Sequence, residues 1–167
     1  ASDSAGCAPL TVTFTDGTKK FAGTIGDIGT TSFFPSKNLG CYGDGGAIFT
    51  NSDELAEKMS MIINHGSKVK YYHEIVGVNS RLDTIQAAIL DEKLKELNLY
   101  CNARQELATY YDDNLKSIEG LQIPERRKES THVFHQYTML VKDGKRDELK
   151  NYLDSKNIPS MVYYPIP

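Results

Sequence analysis

The sequence predicts an α/β fold, and three observations carry that expectation. Short β-branched and aromatic runs alternate with stretches whose apolar residues recur every three to five positions, so strands interleave with helices. From Ser80 to Ile118 there is neither glycine nor proline, which suits long helix. Between the first strands and the first helix lies Gly-Cys-Tyr-Gly-Asp-Gly-Gly, residues 40 to 46, too rich in glycine for a regular element.

Each element follows from local chemistry. Ala1 to Pro9 is small and polar and reads as a tail or loop. Leu10 to Phe14 alternates apolar residues with Thr, as a short strand does. Asp16-Gly17 is a hairpin signal, with Lys19 to Ala22 as the returning strand. Ile25 to Phe34 predicts a strand ending at Pro35, and Ala47 to Thr50 another. Asn51 or Ser52 caps a helix from about Asp53 to Asn64, with Glu54 in its first turn. His65 to Asn79 reads as irregular.

The glycine-free stretch predicts one long helix, or two with a bend near Asn98 to Asn102. Its buried face carries Leu82, Ile85, Ile89, Leu90, Leu94 and Leu97, and Gly120 stops it. Val133 to Val141 reads as a strand and Asp143-Gly144 as a turn. Lys145 to Lys156 reads as a helix with Leu149, Tyr152 and Leu153 inward. Three prolines keep residues 159 to 167 extended. A domain boundary falls near Tyr100. Residues 1–100 hold the glycine-rich site region, and residues 101–167 form a helix–strand–helix–strand unit.

Composition narrows the function. The 167 residues suit one ordinary domain, or one domain and part of another. With 40% hydrophobic and 25% charged residues the chain can build a core. A net charge of −3 and a pI of about 5.8 argue against nucleic-acid partners. No apolar run approaches the roughly 20 residues that span a bilayer, and no leader-like basic-then-apolar start is visible. Cys7, Cys41 and Cys101 are odd in number and far apart, which fits neither a zinc pattern nor a disulfide framework. The expectation is a cytoplasmic protein with reduced thiols and no membrane partner.

The most informative run is Thr31-Ser32-Phe33-Phe34-Pro35-Ser36-Lys37-Asn38-Leu39-Gly40. A strand ends at Pro35, and a lysine follows beside a glycine loop, where sites in open α/β sheets gather. An amine partly withdrawn from water there is equipped to attack an aldehyde and form an imine. Ser32 and the amides of the glycine loop are donors for a phosphate. On composition alone, Lys37 also reads as an ordinary solvated loop lysine.

The run from Thr31 to Phe49, TSFFPSKNLGCYGDGGAIF, closely resembles the active-site segment of the DegT family of sugar aminotransferases, which depend on pyridoxal 5'-phosphate (PLP). The resemblance implies fold type I of the PLP-dependent transferases. Residues 1–100 would then be part of the large PLP-binding domain, and residues 101–167 part of the small C-terminal domain. In the family the lysine of the S-F-x-x-x-K segment holds the cofactor as a Schiff base; here it is Lys37. Ser32 matches a serine that binds the cofactor phosphate.

Gly77-Val78-Asn79-Ser80-Arg81-Leu82-Asp83 resembles the N-x-R-L-D motif. Its Asn79 would reach the phosphate in a neighbouring subunit, implying a homodimer, and Arg81 would lie near substrate or the subunit boundary. His65, in Asn64-His65-Gly66, and Tyr164, in Tyr163-Tyr164-Pro165-Ile166-Pro167, match landmarks near substrate. The family more often has His-Tyr-Pro at the last of these, so Tyr163 is a departure.

The resemblance spans about residues 14 to 167. It implies amino transfer, with glutamate as the amino-acid donor, to a keto sugar nucleotide. A UDP-2-acetamido-3-keto sugar or uronate for polysaccharide or lipopolysaccharide synthesis is its narrowest form. Family members are more than twice this long. They carry upstream a phosphate loop and an aspartate that pairs with the pyridine nitrogen, so the chain reads as a fragment.

Two alternatives stand beside this. PLP-dependent sugar dehydratases carry histidine where Lys37 stands, which argues against that chemistry. A catalytically incomplete module that only dimerises or binds sugar nucleotide is the non-enzyme reading. His132 and His135, three apart on a predicted strand, would face opposite sides, so no metal site is expected. Glu92, Lys93, Lys95 and Glu96 read as a solvated helix face. The glycine loop is neither G-x-G-x-x-G nor a P-loop.

Overall fold

The computed structural model describes residues 26–128 and 131–165. The two strands expected around Asp16-Gly17 lie outside the described residues. The chain divides into two compact units, Ala1–Lys93 and Leu94–Pro167.

In the first unit, β1 (Gly29–Ser32) pairs antiparallel with β2 (Gly46–Phe49), with Ser32 opposite Gly46 and Gly29 opposite Phe49. The strands are shorter than the sequence suggests. From Phe33 onward the backbone leaves the ladder to hold the loop between them. Helix α1 (Asp53–Ile63) starts where its cap predicts, the Ser52 side chain accepting from the Leu55 amide at 3.3 Å. Asp53 and Glu54 place negative charge on its first turn, where the helix dipole favours it.

The stretch after α1 is more ordered than the sequence reading allows. It contains β3 (Ser67–Val69) and β4 (Tyr72–His73), an antiparallel pair turned at Tyr71, whose φ is +74°. Strands of two and three residues are too short to show a two-residue period, so the pattern could not announce them.

Helix α2 (Thr84–Lys95) follows. Its Leu90 is completely buried, but Ile85, expected on the same face, is 74% exposed. Five residues of helix place the two about 140° apart, so one packed face cannot take both. With Phe33, Leu39 and Cys41, Leu90 forms the buried apolar core among the described residues of this unit.

In the second unit, α3 (Leu97–Leu115) begins after a break at Glu96, whose ψ of 2° leaves the helical range. The break comes two residues before the expected bend. Gly120, at φ +83°, turns the chain out of α3. Beyond it, β5 (Leu121–Gln122) pairs antiparallel with β6 (Leu140–Val141).

The strand expected over Val133 to Val141 is therefore reduced to its last two residues. Phe134 adopts φ +43°, its amide donates to His132 Nδ1 at 2.9 Å, and Arg104 holds the carbonyls of Phe134 and His135 at 3.2 and 3.3 Å. With those backbone groups taken up by side chains, no ladder can form there. His132 and His135 accordingly do not sit on a strand.

Asp143 and Gly144, both at positive φ, make the turn into α4 (Arg146–Ser155). Leu149 and Leu153 are half-buried; Tyr152, expected inward, is exposed. Among the described residues of this unit, Ala108 and Phe134 are the buried apolar side chains. The described strands thus form three two-stranded antiparallel sheets among helices. No described helix is long and apolar enough to cross a membrane.

Candidate active site

The loop joining β1 to β2 carries Ser32 at its start and Lys37 at its tip. It is tied to itself at several points. The Phe33 amide donates to Gly45 O and the Cys41 amide to Phe33 O, both at 2.8 Å. The buried Cys41 thiol donates at 3.0 Å towards the carbonyls of Phe33 and Gly43. Phe33, Leu39 and Cys41 point inward, so the intervening turn is pushed to the surface. Within it the Lys37 amide donates to Phe34 O at 2.9 Å.

Gly40 closes the turn. A Cβ there would lie 2.6 Å from Pro35 O and 2.7 Å from Phe34 O, so only glycine lets the two backbones meet. Lys37 is half-buried on this anchored turn. Ser32 is exposed, and its Oγ accepts from the Phe34 amide at 3.2 Å, which leaves the hydroxyl hydrogen to donate elsewhere.

A second loop carries His65, Asn79 and Arg81. Here the chain leaves α1 through two residues in the left-handed region, His65 at φ +61° and Gly66 at φ +76°. Gly66 crosses Gly77 at backbone contact: a Cβ on Gly66 would come within 1.7 Å of Ile75 O, and one on Gly77 within 2.1 Å of Gly66 N. His65 N to Val78 O, Val78 N to Ile62 O and Ser80 N to Ile63 O, at 2.9, 2.7 and 3.0 Å, zip the two sides together. Asn64 and Asn79 form an antiparallel bridge.

Asn79 is thereby held to the end of α1, and its Oδ1 accepts from Arg81 Nε at 3.0 Å. That contact assigns the carbonyl end of the amide and leaves its NH2 as a donor. His65 supplies its carbonyl to His73 Nδ1 at 2.8 Å, so that nitrogen of His73 carries the proton.

The two loops meet through the segment that enters α2. Leu82, next to Arg81, lies against Gly45: a Cβ on Gly45 would be 3.0 Å from Leu82 Cδ1 and 2.9 Å from Cys41 Sγ. The Tyr42 amide donates to Gln86 Oε1 at 2.8 Å. The Lys93 ammonium donates to the buried carbonyl of Gly40 and lies 5.8 Å from the centre of the Tyr42 ring.

Lys93 therefore does not simply solvate a helix face, as its charged neighbours suggest. Its ammonium is turned onto the loop because a buried carbonyl needs a donor. Sequence reasoning passed over Gln86 and Lys93. The signal available was the seven-residue spacing of Gln86 and Lys93, which keeps both on one side of α2.

Tyr164 belongs to the second unit, on the extended segment after α4. It is 78% exposed, with its ring edge-on to Tyr163 at 5.3 Å. Of the six residues singled out in the sequence, Ser32 and Lys37 share one loop and His65, Asn79 and Arg81 share the other, all in the first unit. Among the described residues no three His, Cys, Asp or Glu side chains gather as a metal site.

Lys37 thus stands on a glycine-closed turn with the Ser32 hydroxyl at its start, and the Asn79 amide on a second loop whose backbones cross at Gly66 and Gly77. The chain matches the DegT/DnrJ/EryC1/StrS aminotransferase family over residues 3–167 and belongs to it. It is 49% identical over 150 residues to the "Pleiotropic regulatory protein" of Geobacillus stearothermophilus, across 89% of this chain and 40% of that protein. It is 47% identical over 143 residues to the UDP-2-acetamido-2-deoxy-3-oxo-D-glucuronate aminotransferase of Pseudomonas aeruginosa, across 86% and 39%.

Among solved structures, S. venezuelae DesV in complex with a ketimine intermediate matches with a TM-score of 0.78 at 41% identity, over 85% of this chain and 38% of that one. The chain thus spans about two fifths of the length of these relatives. Its α/β fold is the fold of the family.

Proposed function

We propose that this chain supplies the cofactor-anchoring part of a PLP-dependent aminotransferase. The enzyme passes an amino group from an amino acid, glutamate in our reading, to a keto sugar nucleotide. A UDP-2-acetamido-3-keto sugar or uronate is the narrowest acceptor class, and polysaccharide or lipopolysaccharide synthesis the use. The single observation that carries this is Lys37, half-buried on a turn closed by Gly40, five residues after the Ser32 hydroxyl at the end of β1.

The donor set suits PLP. Lys37 Nζ is a primary amine for the aldehyde carbon, and the Ser32 hydroxyl hydrogen and the Asn79 NH2 are donors for phosphate oxygens. Bound PLP supplies an electron sink that stabilises negative charge at the substrate carbon. Lys37 would anchor the cofactor, and its freed amine would hold at Nζ the proton taken from the donor's α-carbon. Ser32 and Asn79 would hold the phosphate, leaving Lys37 as the group that meets the aldehyde.

Arg81, His65 and Tyr164 are assigned to substrate, Arg81 as the cation for its anionic part. Asn79 acts across a homodimer interface, which makes the dimer the working unit. Residues 1–100 form part of the large cofactor domain and residues 101–167 part of the small domain. We place the protein in the cytoplasm, in keeping with three cysteines too few and too scattered for a disulfide framework. Lysine at position 37, where the related dehydratases have histidine, favours amino transfer over dehydration.

The test is chemical trapping. The protein carrying this sequence is incubated with PLP, reduced with borohydride and mapped by peptide mass. One label per chain, on Lys37, and its loss in Lys37→Arg are expected. Labelling that persists in that variant, or that scatters over surface lysines, would remove Lys37 from the role.

A further inference from the structure

One side of α2 and its entry follows the glycine loop in reverse order. Leu82 meets Gly45, Gln86 meets Tyr42 and Gly43, and Lys93 meets Gly40. The Gln86 contact has two parts. Oε1 accepts the Tyr42 amide, while a Cβ on Gly43 would lie only 3.0 Å from Nε2, so the amide end packs against bare backbone. The Lys93 ammonium satisfies the Gly40 carbonyl and leans over the Tyr42 ring. Gly40 in turn packs on the carbonyls of Phe34 and Pro35, and Phe34 O accepts from the Lys37 amide. A continuous set of contacts therefore runs from Lys93 through Gly40 and Phe34 to the backbone of Lys37.

We propose that Gln86 and Lys93 are positioning residues for Lys37: by pinning Gly40 and Tyr42 to α2 they set where the lysine amine stands. This rests on the reading that Lys37 holds the cofactor. The physical basis is that a buried carbonyl deprived of its donor drives the backbone to rearrange until it is satisfied. A group that must meet a carbon in a fixed geometry can lose about 100-fold in rate for a displacement near an ångström. Both side chains are engaged with loop backbone, the Tyr42 amide and the Gly40 carbonyl, so the effect falls on the alignment of Lys37 and not on ligand recognition.

The experiment uses Gln86→Leu, Lys93→Met and Lys93→Arg in the protein carrying this sequence, with three readouts. The first is hydrogen exchange of the Tyr42 amide without PLP, which Gln86→Leu should accelerate about tenfold or more. The second is the rate of borohydride-trapped PLP labelling at Lys37, which Gln86→Leu and Lys93→Met should slow about tenfold. The third is turnover, with kcat falling in step and the KM for the amino donor staying within about twofold. Lys93→Arg keeps a cationic donor and should restore labelling to within about threefold of the parent.

Parent-like exchange and labelling in both Gln86→Leu and Lys93→Met would overturn the proposal. So would Lys93→Arg behaving as Lys93→Met, because the donated hydrogen bond would then be irrelevant. If Lys37 of the unaltered protein takes no label, the transaminase reading itself fails. Label on Lys37 with unchanged rates in the variants removes only the positioning role.

Discussion

The hydroxyl of Tyr137 donates to Asp112 Oδ1 at 2.7 Å, and the other oxygen of that carboxylate receives Arg126 Nε at 2.6 Å. This pair ties the irregular segment after Phe134 to α3, and the Arg126 guanidinium lies 4.8 Å from the Phe134 ring. Burial first, and then the hydrogen bond to Asp112, push the Tyr137 hydroxyl well above the usual phenol range.

A pH dependence follows. The folded state favours the protonated phenol. The stability it contributes is complete below the unfolded value of about 10 and is lost as pH rises through the higher folded value. Melting temperature should therefore fall more steeply above about pH 10 in the parent than in Tyr137→Phe. At neutral pH the variant should be about 1 kcal/mol less stable. Parallel pH curves would detach Tyr137 from the alkaline loss.

Gly66 and Gly144 separate two reasons for glycine. Both have positive φ, but only at Gly66 would a Cβ strike backbone, 1.7 Å from Ile75 O; around Gly144 nothing lies within 4 Å. Gly144→Ala should cost about 1–2 kcal/mol from backbone strain alone. Gly66→Ala adds a collision and should cost about 3–5 kcal/mol. Urea titrations of the two variants give the comparison, and equal midpoints would contradict it.

Gly40→Ala should damage the Lys37 turn although Gly40 does not need positive φ. The added methyl would press on the carbonyls of Phe34 and Pro35 at 2.7 and 2.6 Å, costing about 1–3 kcal/mol. PLP labelling of Lys37 should fall by more than the change in melting temperature explains. Full labelling at the parental rate would show that the turn tolerates the methyl.

Asn79→Asp keeps an oxygen for Arg81 but replaces the NH2 donor with negative charge. PLP affinity should drop about 10- to 100-fold, and Asn79→Ala should fall in between. Equilibrium titration with PLP measures this. Unchanged affinity in Asn79→Asp would take Asn79 away from the phosphate.

Much of the first unit was legible. Ser52 capped α1 as its side chain implied, and the glycine run between two strands became the loop that carries Lys37. Other readings failed for identifiable reasons. Val133 to Val141 has strand-like composition, yet Arg104 and His132 occupy backbone groups of Phe134 and His135 that a ladder would need. Tyr152 shares a helix side with Leu149 by spacing alone, but is 58% exposed. Lys93 looked like one solvated charge among four, because composition does not record which side chain meets a buried carbonyl.

By itself the sequence determined the short-range features of this protein: the Ser32-to-Lys37 spacing, the glycine loop beside it, the cap of α1, and the N-x-R-L-D segment leading into α2. These depend on neighbours within a few residues, so local chemistry suffices. Only the tertiary structure decided that Gly66 crosses Gly77 at backbone contact, and that Gln86 and Lys93 take hold of Tyr42 and Gly40, 44 and 53 residues away. Such partners are chosen by which buried polar groups still lack a hydrogen bond once the backbone has packed, and no window along the chain contains that information.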